Sequence, residues 1–450
     1  PELYFQTKLY AGNGGTQSIT FDGSEDMRPD FVWLKSRGGE GHVLFDSVRG
    51  GDKAIKSESN VVENTGNCLQ TFDSDGFGFT NGSDGNSVHS AYNSYCSWSW
   101  SAGGASPAIT YTVKVVSDSG NKYRFDDFGT SAVTLELQEG GTYTFDQSDS
   151  SNSGHPLRFS TTSNGTHGGG SEYTTGVTTT GTPGTTGAKT VITVAHGAPI
   201  LYYYCTQHSG MGGQANTNTT HGSSNFDGSI QSVVSANTDA GFSICTYTGT
   251  STVSESFGHG LNQAPELVIT KARNTTDAWR VHGSILGTDK FLALSGTNAV
   301  ATDSSNGGFP DNTDTLVNLG YESTNGTNYV AYCFHSVPGY SAVGSYIGNN
   351  STDGPFSFTG FRPAWLMLKR SDSAADWLIY DNKRDTFNQM QFPLFPRSPD
   401  DEYTSNLLHV DFLSNGFKIR NATYGETNAS GGNYIYLAFA EQPFKFANAR

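Results

Sequence analysis

The residues best suited to chemistry stand in one short stretch. Cys205, His208 and Met211 directly follow the aromatic run Tyr202-Tyr203-Tyr204, and His155 lies fifty residues upstream. Thiolate and imidazole match the softness of copper, and a thioether tunes its potential. The compact Cys-x2-His-x2-Met loop gathers three such groups at the end of one strand, whereas His155 must arrive from a neighbouring strand. Other candidates are weaker. His167 and His196 flank glycines and are expected in solvated loops. Asp381-Asn382-Lys383-Arg384-Asp385 and Asp73-Ser74-Asp75 look like acidic sites only in isolation. The second lacks the rest of a twelve-residue calcium loop and its terminal Glu, so it reads as a β-turn. No nucleophile elbow, P-loop or His-Glu-x-x-His occurs. The expectation is a protein that is not an enzyme, with no catalytic residues.

The elements that must position these residues are strands. Charged residues are only 15% of the 450, and glycine numbers 55. Ser, Thr, Asn and Gly therefore supply the polar surface, and they favour turns over helices. Aromatics at 12% are enough to fill several β cores. A net charge of −16 disfavours nucleic acid, and no apolar run reaches the length of a membrane span. The cysteines, Cys68, Cys96, Cys205, Cys245 and Cys333, are single and odd in number, which is no disulfide framework. At least one is free or metal-bound, and assembly in a reducing cytosol is expected.

Internal repetition is the strongest signal. A proline followed by an apolar strand ending in a base occurs as Pro29-Asp30-Phe31-Val32-Trp33-Leu34-Lys35. It returns as Pro265-Glu266-Leu267-Val268-Ile269-Thr270-Lys271 and Pro363-Ala364-Trp365-Leu366-Met367-Leu368-Lys369. A short strand follows each: Val43-Leu44-Phe45-Asp46, Trp279-Arg280-Val281-His282 and Trp377-Leu378-Ile379-Tyr380-Asp381. Then comes a turn, Asp75-Gly76-Phe77 or Asn415-Gly416-Phe417, with Asn318-Leu319-Gly320 a weaker match in the middle copy. Each copy closes on an aromatic strand, ending at Trp100, Phe334 and Phe439. In the first, Cys96, Trp98 and Trp100 alternate with Ser97 and Ser99, which predicts one buried face.

These landmarks predict an all-β chain: three repeated jelly-roll or β-sandwich domains at 1–104, 240–342 and 343–450, and a different domain at 105–217. Within that domain the Thr/Gly-rich stretch Thr161 to Thr190 reads as a long surface loop, and 218–239 reads as a linker.

The Cys205-x2-His208-x2-Met211 loop with His155 resembles the cupredoxin (blue-copper) family. The resemblance implies a Greek-key β-sandwich in which His155, Cys205 and His208 bind copper in one plane and Met211 is a weak axial ligand. Gln214-Ala215-Asn216-Thr217-Asn218 departs from it, being polar where that family has an apolar final strand. The repeated unit resembles domains of virion structural and tail-fibre proteins of marine phages, including cyanophages. The runs that carry this are 29–35, Phe45-Asp46-Ser47-Val48-Arg49-Gly50, Phe72-Asp73-Ser74-Asp75-Gly76-Phe77 and the ending 434–445.

That resemblance implies a location in the virion after assembly in the host cytoplasm, and a homo-oligomer, usually a trimer. It also implies contacts with other virion proteins and attachment to a host cell-surface glycan or receptor. Two alternatives stand beside it: a capsid decoration or tail component binding only virion proteins, and a copper-binding redox protein.

Overall fold

In the computed structural model the chain is almost entirely β-strand. The residues described are 1–66, 69–80, 88–91, 93–251, 254–303, 308–320, 322–404, 407–422 and 424–440. Cys68 and the ending beyond residue 440 therefore lie outside them. Two compact units form. One comprises Pro1–Ala102, Ala236–Glu255 and His259–Arg450, the other Gly103–Ser235 with Ser256–Gly258.

The first unit holds the three repeats, and each builds its main antiparallel sheet in the same order. In the first module the order is Phe5–Ala11, Ser94–Trp100, Phe31–Ser36, His42–Asp46, Lys53–Lys56. In the second it is Phe242–Thr248, Asn328–Phe334, Leu267–Ala272, Arg280–His282, Lys290–Ala293. The third runs Ser341–Ile347, Asn433–Phe439, Trp365–Arg370, Trp377–Asp381. The 342/343 boundary thus falls inside a strand, and the break between modules lies before Ser341. Register is shared too, pairing Trp33 with Trp98, Ile269 with Tyr332 and Met367 with Leu437.

The first and third modules add a small three-stranded sheet: Gln17–Thr20, Gly76–Phe79, Leu69–Asp73, and Phe356–Phe358, Gly416–Ile419, Val410–Leu413. Asp73-Ser74-Asp75 is the hairpin turn of the first, with Asp73 opposite Gly76. In the middle module Asn318 ends the strand Leu316–Asn318 instead of opening a turn, and Leu319 is buried.

The prediction of one buried face is incomplete, because the alternating serines Ser97 and Ser99 are as buried as the tryptophans. Val32, Leu34, Val43, Phe45 and Tyr95 form the module's own core with Ile19, Phe77 and Phe79. The opposite face packs against the other modules. Phe31 stacks on Tyr332 at 4.3 Å, Trp100 meets Trp365 at 5.5 Å, and Phe334 meets Phe439 at 5.9 Å. These rings close a shared centre, where a void of about 10 Å³ remains among residues such as Trp33, Ile269 and Met367. Each such ring removes roughly 150–250 Å² from water, about 4–6 kcal/mol at ~25 cal/mol per Å².

The basic residue that ends each repeat's strand completes the ring of three. Lys35, Lys271 and Lys369 are buried. The Lys35 ammonium donates to the carbonyl of Pro399 in the third module at 3.2 Å, and Lys271 to Asn60 in the first at 3.3 Å. Lys369 donates to Thr297 in the second at 3.1 Å. Two ion pairs run the same way round, Arg37 with Glu402 and Arg273 with Glu63.

The second unit is a two-sheet sandwich. One sheet orders Asn121–Phe125, Ala108–Ser117, Thr142–Asp146, Lys189–Thr193, Val177–Thr180. The other orders Leu135–Gln138, Gly213–Asn218, Leu201–Cys205, Leu157–Ser160. Each contains one parallel pair. Two sequence expectations need correction here. The stretch from Thr161 to Thr190 is not all loop, since Val177–Thr180 forms an edge strand on Lys189–Thr193. The 218–239 segment is not a linker. It carries strands Ser223–Asn225 and Ser232–Asn237, and Phe226 is part of the sandwich core. The polar run after Met211 is a paired strand. Ala215 is its buried residue, while the amides of Asn216 and Asn218 both donate to the Glu136 carboxylate.

Candidate metal centre

Strand register brings the predicted ligands together. Cys205 ends its strand opposite Leu157, and His155 stands two residues before Leu157. After the strand the chain turns back through His208 and Met211. Gly212 is required in that turn, because a Cβ there would lie 1.7 Å from the Tyr203 carbonyl oxygen. The Cys205 sulfur is 3.8 Å from His155 Nδ1 and 3.8 Å from His208 Nδ1. The two imidazole centroids are 4.5 Å apart, and the three ligand atoms all lie within 4.8 Å of one another.

That spacing tests the fit to a metal. Ligands about 2.0–2.3 Å from one ion and about 120° apart would have a sulfur–nitrogen separation of roughly 3.8 Å; tetrahedral angles would shorten it to roughly 3.5 Å. The two sulfur–nitrogen separations therefore allow one ion to be shared, and one thiolate with two imidazoles is a donor set that suits copper. Cys205 is wholly buried, His155 half-buried and His208 exposed. Met211 is 1% exposed and belongs to the same core cluster as Cys205. Burial, and after it the neighbouring His208, lowers the His155 pKa. The neutral imidazole, the form that ligates, therefore prevails at neutral pH.

Three further residues hold the site, none adjacent to a ligand in sequence. The Tyr123 hydroxyl and the Gln147 amide both donate to the His155 carbonyl at 2.8 Å. Gln147 Oε1 also accepts from Leu157 N–H at 3.1 Å. His167 is exposed, as expected, but it stands in a short 3-10 helix, Gly165–Gly168, instead of a loop, and its Nε2 lies 3.0 Å from the Cys205 carbonyl oxygen. His196 is almost fully exposed and pairs with Glu139. Asp381 and Arg384 form a buried ion pair in the first unit, a role in packing. Asp73 and Asp75 accept from Ser18 and from the Met27 N–H, as a turn's side chains do.

A model of one family matches residues 1–132 and 215–443, most of the chain. The chain belongs to the family described as domain of unknown function DUF7483. The matched stretches of the DUF7483 model leave out 133–214, and His155, Cys205, His208 and Met211 all fall inside that gap. Membership in DUF7483 thus covers the three modules and carries no statement about the metal centre. No curated protein and no solved structure matches the chain. No helix among the described residues is long and apolar enough to cross a membrane.

Proposed function

We propose that this chain is a non-catalytic structural protein of a virus particle, a tail-fibre or host-recognition subunit, whose inserted sandwich binds copper. The observation that carries the structural part is the ring of three like modules. Their aromatics and buried ion pairs are committed to a shared interior, which makes a stiff body with recognition left to polar loops. Loops rich in Gly, Ser, Asn and Tyr suit adaptable contacts with a host-surface glycan or receptor. Subunits gathered into a homo-oligomer, a trimer in fibres, would convert weak contacts into tight attachment through avidity. Immunogold labelling of intact particles tests this: label at fibre tips is expected, and label confined to the capsid or tail tube favours the decoration or tail-component alternative.

The copper reading rests on the 3.8 Å separations of the Cys205 sulfur from His155 and from His208, and on the soft donor set. Bound copper would supply one-electron redox chemistry. Here the chain's own residues hold the thiolate in a dry core, keep His155 neutral and leave the His208 edge open to solvent. A copper-binding structural staple and a redox protein share this site. A cyclic voltammogram of the loaded protein with reversible exchange favours the redox role; tight binding without exchange favours the staple.

A further inference from the structure

Tyr123 lies on Asn121–Phe125, at the edge of the sheet that carries no ligand, yet it touches every ligand-bearing segment. Its hydroxyl donates to the His155 carbonyl at 2.8 Å. Its peptide N–H donates to the Met211 carbonyl at 2.9 Å, and its own carbonyl accepts from Ala132 N–H at 2.8 Å. Its ring packs 6.4 Å from Tyr203 on the Cys205 strand.

We propose that Tyr123 is the positioning residue of this centre: it braces the His155 and Met211 segments. This rests on the copper reading above. The phenolic proton is donated to the His155 carbonyl, which fixes where that imidazole stands. Cu(II) is the harder ion and depends more on its imidazole ligands than Cu(I), which thiolate and thioether suit. Loosening His155 weakens binding of Cu(II) more than of Cu(I) and raises the reduction potential. Groups that orient metal ligands typically change affinity by about 10–100-fold.

Tyr123→Phe separates this role from packing, because the ring and both main-chain hydrogen bonds remain. Tyr143→Phe is the control. It deletes a buried hydroxyl of the same core that bonds Ser223 and Gln138 N–H and no ligand segment. The full chain and both variants are titrated with Cu(II), and the visible thiolate-to-copper band and the reduction potential are recorded. The expected result is a band in all three, Cu(II) affinity about 10–100-fold lower with a raised potential in Tyr123→Phe, and affinity within about twofold of the parent in Tyr143→Phe. A band in the parent with unchanged affinity and potential in Tyr123→Phe overturns this inference alone. No thiolate band in the parent overturns the copper reading and this inference with it. Equal losses in both variants make the effect one of core packing and also overturn it.

Discussion

The indole N–H of Trp98 in the first module donates to Asp381 Oδ2 of the third across 3.0 Å. Its counterpart, the Tyr332 hydroxyl of the second module, donates to Asp46 Oδ2 of the first at 2.7 Å. Each acid is also paired with the arginine three residues on, Arg384 and Arg49, and all four side chains are buried. By strand register the equivalent positions for the remaining junction are Gly283, Leu286 and Leu437. Where the donor is replaced by an aliphatic side chain, the acid and the arginine are absent as well, as the cost of burying an unpaired charge requires.

Asp381→Ala should therefore cost about 3–5 kcal/mol, because it removes the nearer partner of the buried Arg384 guanidinium and leaves only Glu402, at 3.5 Å, to balance its charge. Asp381→Gly with Arg384→Leu, which copies the second module, should recover a large part of that loss. Urea midpoints of the parent, single and double variants test this, and a double variant less stable than the single one contradicts it.

The lysine ring gives a pH signature. Burial lowers the Lys369 pKa from 10.5 to about 8. The unfolded chain then binds more protons between those values, so this lysine's contribution to stability rises as pH climbs from about 8 to 10.5. The stability of the parent relative to Lys369→Met should increase across that window by up to roughly 3 kcal/mol, at ~1.4 kcal/mol per pKa unit. Melting curves of both proteins at pH 7.5, 9 and 10 measure it, and a constant difference would falsify the assignment.

Glu322 behaves in the opposite sense. Burial raises its pKa from 4.5 to about 8. The folded protein holds a proton that the unfolded chain has released, so stability falls as pH rises from 4.5 to 8. Glu322→Gln should abolish that component and stabilise the protein at pH 8 by up to roughly 5 kcal/mol, at ~1.4 kcal/mol per unit. Parallel denaturation of parent and variant at pH 5 and pH 8 reads it: the two curves should converge at the lower pH.

The repeats also act as controls on one another. Ser18-Ile19-Thr20 in the first module points Ile19 inward at 4% exposure, whereas Phe356-Ser357-Phe358 in the third points Ser357 inward at 6%. The Ser357 hydroxyl has no hydrogen-bond partner among the described residues. Ser357→Ala should raise stability by about 1 kcal/mol by removing a buried, unpaired hydroxyl. A lower urea midpoint for that variant would mean the hydroxyl is satisfied in solution.

Much of this was legible in the sequence because repetition exposes what strand order needs. The proline before each strand, the alternating closing strand and the lysine at its neighbour's end gave the modules and the β class. Cys205, His208 and Met211 were legible because three soft donors share one loop. The ring was not, because Lys35, Lys271 and Lys369 bond main-chain carbonyls, which leave no mark on residue type. The second buried face of Ser94–Trp100 was hidden for a related reason: serines look solvent-facing until another layer covers them. Tyr123 and Gln147 act on a carbonyl far along the chain, so no spacing announces them. The polarity of the strand Gly213–Asn218 has its reason in a partner no spacing announces: its asparagines donate to Glu136, about eighty residues away.

The most direct test of the metal centre is X-ray absorption at the copper edge of the loaded full-length chain, set beside Cys205→Ser. One sulfur and two imidazole nitrogens around each ion, with the sulfur signal gone in the variant, is the predicted result. A shell of nitrogen and oxygen alone, identical in both proteins, would contradict a site built on Cys205, His155 and His208.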